Sequence, residues 1–233
     1  MKNILIASTS TLHGSGYLEY ILPTLTKHFK NVSTILFIPY ARPGGISFDA
    51  YTLKAREAFA TINIKVKGIH EFDNVKEAVR NAQGIFTGGG NTFELVHQIY
   101  ANDILNDLQD AVENGTPYLG TSAGSNICGV TMMNTNDMPI VYPPSFDTLG
   151  FIPFNINAHY LDPIGGSTHM GETRATRIKE YHEYNTTPVL GLREGSWLQV
   201  CDTSITLQGK LTARVFKQNK EPYEIESGSE VVL

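Results

Sequence analysis

From residue 3 to about residue 130, short apolar runs alternate with segments whose apolar residues recur at helical spacing. Asn3–Ser8, Ser33–Pro39, Ile64–Ile69, Gly84–Thr87 and Pro117–Gly120 read as strands. Between them, Tyr17–Phe29, Phe48–Ile62, Val75–Ala82 and a long Thr92–Asn114 read as helices, and Ser122–Val130 can continue as another. This alternation with short connections predicts an α/β fold of three layers, α/β/α, with a mostly parallel sheet and helices on both faces. After residue 131 the pattern is less regular. A strand-like run ends at His159, Glu172–Tyr184 reads as a helix, and Trp197–Val200, Ile205–Leu207, Val215–Phe216 and Val231–Leu233 read as extra short strands near the C-terminus. No internal repeat or linker divides the chain, so residues 1–233 are expected to form one domain.

Composition narrows the classes of function. The chain has 233 residues, 41% hydrophobic and 18% charged, which suits a packed domain and argues against disorder. Its net charge of -5 is spread along the chain, so it lacks the basic stripe that nucleic acid or an anionic membrane surface requires. No apolar run reaches the roughly 18 residues of a membrane span, and Met1–Ser8 is followed by polar residues rather than an export signal, so a cytoplasmic protein is expected. Cys128 and Cys201 are far apart and away from histidine clusters, so neither a disulfide scaffold nor a zinc site is expected. Nothing calls for a metal or another cofactor, and activity is expected to resist chelators.

Two glycine-rich turns follow strands and so belong on one rim of the sheet, where ligands of such folds bind. In Gly120-Thr121-Ser122-Ala123-Gly124, a G-x-S-x-G at a strand-to-helix junction, the small neighbours allow Ser122 to stand on a very tight turn. The N–H of Ala123 would face a developing oxyanion; the plainer reading is that Ser122 only caps a helix. In Thr87-Gly88-Gly89-Gly90-Asn91-Thr92-Phe93, Gly89 or Gly90 fits the second oxyanion donor. A phosphate site is the weaker reading, because no G-x-G-x-x-G, no G-K-[ST] and no nearby basic residue accompanies the glycines. A serine nucleophile needs a base. Of seven histidines, His28, His97 and His182 lie in helical patterns, whereas His159 ends a strand-like run. Glu194, in Arg193-Glu194-Gly195, is a candidate orienting carboxylate, with a loop pair to Arg193 as the plainer alternative. The order Ser, His, Glu differs from that of the α/β-hydrolases.

Taken in order, these stretches resemble the peptidase E, or α-aspartyl dipeptidase, family. The resemblance rests on Gly88–Phe93, Gly120–Asn126, Asn134–Val141 and Ile156–His159, extended by Gly171-Glu172-Thr173-Arg174 and Gly191–Gly195. It implies a class I glutamine-amidotransferase-like, flavodoxin-like fold and a serine-type dipeptidase that hydrolyses small acidic peptides with an N-terminal Asp through an acyl-enzyme, as a monomer or homodimer. Position by position, it implies Ser122 as nucleophile, His159 as base, Glu194 as the acidic third member, and Gly89, Gly90 and Ala123 as the oxyanion hole. Arg174 is the expected partner of the aspartate side chain, with His169 as a second candidate and Asn91 also on the substrate side. Arg177 reads as a surface pair with Glu180. Asp137 either supports the site or meets the substrate amine, or is purely structural. Thr121 and Ser125 stand where tryptophan and alanine are common, beside the serine, and are expected to bear on substrate preference. The alternatives are a cyanophycinase-like or β-aspartyl hydrolase, and a non-catalytic anion-binding α/β protein.

Overall fold

The structure is a computed structural model and describes residues 1–163 and 171–233. Five parallel strands build the frame: β1 (Asn3–Ala7), β2 (Thr34–Ile38), β3 (Lys65–Gly68), β4 (Ile85–Thr87) and β5 (Tyr118–Thr121). With β8 (Trp197–Cys201), antiparallel to β1, and β9 (Ser204–Gln208), antiparallel to β8, they form a seven-stranded sheet in the order β3-β2-β4-β5-β1-β8-β9. The apolar runs were near-continuous because both faces are covered. Ile4, Ile6, Leu36, Ile38 and Ile85 pack on one side with residues of α3 (Val75–Arg80), α4 (Thr92–Ala101) and α5 (Leu105–Glu113). Leu5, Ala7, Ile35, Phe37 and Phe86 pack on the other with α1 (Leu22–His28) and α2 (Phe48–Ala60). Each fully buried aliphatic or aromatic side chain contributes about 2 kcal/mol of transfer free energy, so the two layers of helices hold the sheet from both sides.

The short strands expected near the C-terminus divide, some extending the first sheet and the rest lying in a second. β6 (Asn155–Ala158), β7 (Val189–Leu192), β10 (Ala213–Phe216) and β11 (Tyr223–Ile225) form a second sheet in the order β11-β10-β7-β6. One face of it, through Ile156, Leu190, Leu192 and Val215, joins the first core. The other face, through Val189 and Phe216, is covered by Ile178 of α7 (Arg174–Tyr184).

Three expectations are corrected. The long helix from Thr92 is two helices, because the N–H of Ile104 reaches back to Ile99 O and that of Asp103 to Tyr100 O, a Schellman stop. Asp103 takes the left-handed position, φ 51°, where glycine would have advertised the break. The helix after Ser122 is only α6 (Ala123–Asn126). Val231–Leu233 is not a strand; Val231 contributes one backbone hydrogen bond, to Ile205 O, beside an isolated bridge between Thr206 and Glu230. Among the described residues no helix is long and apolar enough to cross a membrane.

At the end of α1, His28 places Nε2 3.1 Å from Tyr118 O, so that nitrogen carries the proton. Burial lowers the pKa of this ring to about 4, against the opposing effect of the carbonyl. The folded state therefore binds fewer protons than the unfolded chain, whose histidine titrates near about 6.5. Its contribution is full above that pH and is lost as pH falls towards 4. Urea unfolding at pH 7 and pH 4.5 is expected to show an acid loss of which about 2 kcal/mol disappears in His28→Gln, which keeps a donor but cannot charge.

Candidate active site

The site begins at the end of β5. Ser122 has φ 55° and ψ -112°, outside the regions an L-residue prefers, and such strain persists only where its surroundings enforce it. Its N–H donates to Ala7 O at 3.2 Å, and the chain then enters α6. The flanking glycines are required by contact: a Cβ on Gly120 would lie 2.3 Å from Gly124 O, and one on Gly124 2.3 Å from Thr87 O. Thr121 and Ser125 are fully buried, so the two departures from the family pattern bear on packing beneath the turn rather than on a substrate wall. The Ser125 hydroxyl lies 2.6 Å from Ala7 O and 2.9 Å from Gly120 O, tying β1 to β5.

β6 and β7 bring the next two side chains together. They are parallel neighbours with Ala158 opposite Leu192, so the residues that follow, His159 and Arg193-Glu194, leave the sheet side by side. Glu194 Oε1 lies 2.6 Å from His159 Nδ1, and His159 Nε2 lies 2.8 Å from Ser122 Oγ. An ionised carboxylate only accepts, so Nδ1 carries the proton and Nε2 is left to accept from the serine hydroxyl. The His159 and Glu194 side chains are 36% and 46% exposed, which makes this contact an orienting one more than a source of stability.

Two residues to which the sequence assigned no part in the site hold this pair. Ser8, the first polar residue after β1, is buried; its Oγ accepts from the N–H of His159 at 2.9 Å and donates to Leu192 O at 2.7 Å. His159 itself sits at φ 54°. Arg193 does not pair with Glu194. Its guanidinium forks onto Asp162 through two contacts of 2.8 Å and onto Glu224 and Thr212, clamping the chain just beyond His159 to the chain just before Glu194. Only the polar residue at a strand end, on the same rim as Ser122, signalled Ser8.

The glycine turn contributes unequally. The N–H of Gly89 donates to Tyr51 Oη at 2.9 Å, and that hydroxyl donates in turn to Gly89 O at 3.1 Å, so the expected Gly89 donor is already engaged. The N–H groups of Gly90 and Ala123 have no acceptor among the described residues. Gly90 has φ 146°, and a Cβ there would lie 2.1 Å from Ala41 O.

The other candidates divide. Asn91 is used structurally: Oδ1 accepts from Glu94 N–H at 3.1 Å, capping α4, and Nδ2 donates to Met138 O at 2.8 Å. Asp137 Oδ2 accepts from Thr92 N–H at 2.8 Å, Thr92 Oγ1 at 2.5 Å and Thr135 Oγ1 at 3.0 Å, while Oδ1 has no partner among the described residues. Arg174 opens α7, half-buried, with no ion pair to a described residue. Burial holds its guanidinium below the usual arginine range, and Arg177 adds to this; the fields of Asp137 and Glu194 oppose it, which puts Arg174 within electrostatic reach of both. Arg177 lies 3.9 Å from Glu172 rather than pairing with Glu180. His169 lies outside the described residues. Among the described residues no group of three or more His, Cys, Asp or Glu gathers in metal-binding range.

A serine, a histidine and a carboxylate in hydrogen-bonded line at a strained strand-to-helix turn, on a three-layer α/β scaffold, are the arrangement of a serine hydrolase. A family model described as peptidase family S51 matches residues 4–208, and the chain belongs to that family of serine peptidases. It is 46% identical over 229 residues to peptidase E of Streptomyces coelicolor, covering 98% of this chain and 93% of that one. It is 45% identical over 219 residues to a probable alpha-aspartyl dipeptidase of Drosophila melanogaster, covering 93% and 90%. Among solved structures, it is similar to a putative peptidase E protein from Listeria monocytogenes, with a TM-score of 0.68 at 18% identity over 90% of this chain and 98% of that one. It is also similar to a peptidase from an acI-B1 actinobacterium, with a TM-score of 0.71 at 13% identity over 100% and 97%. These two likenesses show the fold, which is flavodoxin-like.

Proposed function

We propose that this chain is a dipeptidase that removes N-terminal aspartate from Asp-Xaa peptides, with Ser122, His159 and Glu194 as its catalytic triad. The observation that carries the reading is the line from Glu194 through His159 to a serine held in strained backbone. The names of the relatives from Streptomyces and Drosophila support the substrate class.

In this reading Ser122 Oγ attacks the carbonyl carbon of the N-terminal aspartyl residue as its proton passes to His159 Nε2. The negative charge that builds on the carbonyl oxygen is met by the N–H groups of Gly90 and Ala123; one such donor contributes about 10²–10³ in rate. The imidazolium is stabilised by Glu194, which stays ionised. As the C–N bond breaks, His159 gives its proton to the leaving amine, and an aspartyl ester remains on Ser122. Water then enters, loses a proton to His159 Nε2 and attacks the ester, and the proton returns to Ser122 Oγ as aspartate leaves.

Selectivity for aspartate falls to Arg174, whose fork suits a carboxylate and which is not satisfied by an ion pair with the described residues. In this reading Oδ1 of Asp137, which has no partner among the described residues, receives the substrate ammonium. Arg174→Gln is therefore expected to lower kcat/KM for Asp-Leu by about 10²-fold or more, as expected when one partner of a desolvated charge pair is removed. The preference for Asp-Leu over Asn-Leu collapses with it. Steady-state kinetics on both peptides checks this; an unchanged preference would assign aspartate recognition elsewhere.

A further inference from the structure

On the α2 side of Ser122 lies a cavity of about 280 Å³ that the reaction as described does not use, lined among others by Ser10, Thr11, Tyr17, Arg42, Tyr51 and Lys54. Two of its lining residues, Arg42 and Tyr51, bond to Gly89, which packs against the nucleophile. A Cβ built on Gly89 would lie 2.7 Å from Ser122 Cβ and 3.2 Å from its Oγ, and Arg42 Nε donates to the carbonyl of that same Gly89 at 3.2 Å. The Arg42 guanidinium is 5.4 Å from the centre of the Tyr51 ring, whose hydroxyl is itself fixed to Gly89. The cation is thus held by backbone and ring, not by an acid.

Arg42 and Lys54 are exposed, and no described acid pairs with them. Arg56, Arg80 and Arg193 pair with Glu71, Asp107 and Asp162, but among the described residues neither Arg42 nor Lys54 has such a partner, in a chain of net charge -5. Glu57, on the next turn of α2, faces an adjoining opening with Lys54 and is beyond ion-pairing distance. The hydroxyl oxygen of Tyr17 is buried without a hydrogen-bond partner among the described residues.

We infer that this cavity is the subsite for the leaving amino acid, with Arg42 and Lys54 receiving its α-carboxylate. The inference rests on the aspartyl-dipeptidase reading and extends it. In Asp-Xaa the α-carboxylate lies one residue beyond the bond that breaks, a step of about 3.8 Å, and Arg42 is bonded to Gly89, the residue packed against the nucleophile. Arg174 stands with α7 and the second sheet, whereas Arg42 and Lys54 stand with β2 and α2. Among the described residues, Arg174 on the α7 side and Arg42 with Lys54 on the α2 side thus lack an acidic partner, cations available to the two carboxylates of an Asp-Xaa dipeptide. The pairing favours peptides whose chain ends directly after the leaving residue.

The test is kcat/KM for Asp-Leu against Asp-Leu amide, which differ only in that carboxylate, for the wild type, Arg42→Gln and Lys54→Gln. The wild type is expected to prefer the free acid by about tenfold or more, the size of a charged hydrogen bond, mainly through KM. Both variants bring the ratio close to one; any loss common to the two substrates, such as a disturbed Gly89 turn in Arg42→Gln, cancels in it. Equal use of acid and amide by the wild type, or an undiminished preference in both variants, overturns the inference. A wild type that cleaves neither substrate overturns the aspartyl reading itself, and this inference with it.

Discussion

Ser122→Ala is expected to lower kcat on Asp-Leu by about 10⁴-fold or more while leaving the protein folded. The hydroxyl is the only atom removed, and its hydrogen bond is to a partly exposed histidine, so thermal stability should move by less than about 1 kcal/mol. The positive φ adds a second readout. Ser122→Gly removes the same hydroxyl and also the Cβ that makes this conformation costly, so it should be as inactive yet more stable than Ser122→Ala by about 1 kcal/mol. Amino-acid release and thermal denaturation of the three proteins check both parts. Substantial hydrolysis by Ser122→Ala would remove the serine from the chemistry; equal stability of the two variants would mean that the backbone there is not strained.

Gly124→Ala is expected to damage fold and activity together. The added Cβ would lie 2.3 Å from Thr87 O and 2.9 Å from Thr87 C, atoms of a strand paired on both sides with β2 and β5. No flexible side chain can yield there, so α6 must move off β4 and take Ser122 with it. Overpacking of this kind costs about 3 kcal/mol. For a chain of this length that is a fall in Tm of about 6–12 °C, with loss of hydrolysis at temperatures where the variant is still folded. Gly45→Ala, with nothing within 4 Å of its Cβ, is the control and should melt with the wild type.

Much of this was legible in the sequence, for identifiable reasons. The central strands were plain because both of their faces are buried, and Ser122 was plain because a sharp turn after a strand demands small neighbours in a fixed pattern. His159 and Glu194 could be named, but nothing in their spacing of 35 residues says that they touch. That depends on β6 and β7 pairing in parallel in a second sheet, a long-range choice that short apolar runs do not encode. The break at Asn102-Asp103 was hidden because an aspartate took the place of the usual glycine. Arg193 looked like a partner for Glu194 because the two are adjacent in sequence, yet it turns to Asp162 and Glu224. Gly89 illustrates the same limit: a glycine turn can be read from sequence, but which N–H it leaves open is decided by Tyr51, 38 residues earlier.

The central claim, hydrolysis after an N-terminal aspartate, is tested most directly by incubating the wild type with α-Asp-Leu, β-Asp-Leu and Leu-Leu and measuring the leucine released. Leucine is expected from α-Asp-Leu, with little from the other two. Comparable release from Leu-Leu, or release from β-Asp-Leu alone, would contradict it.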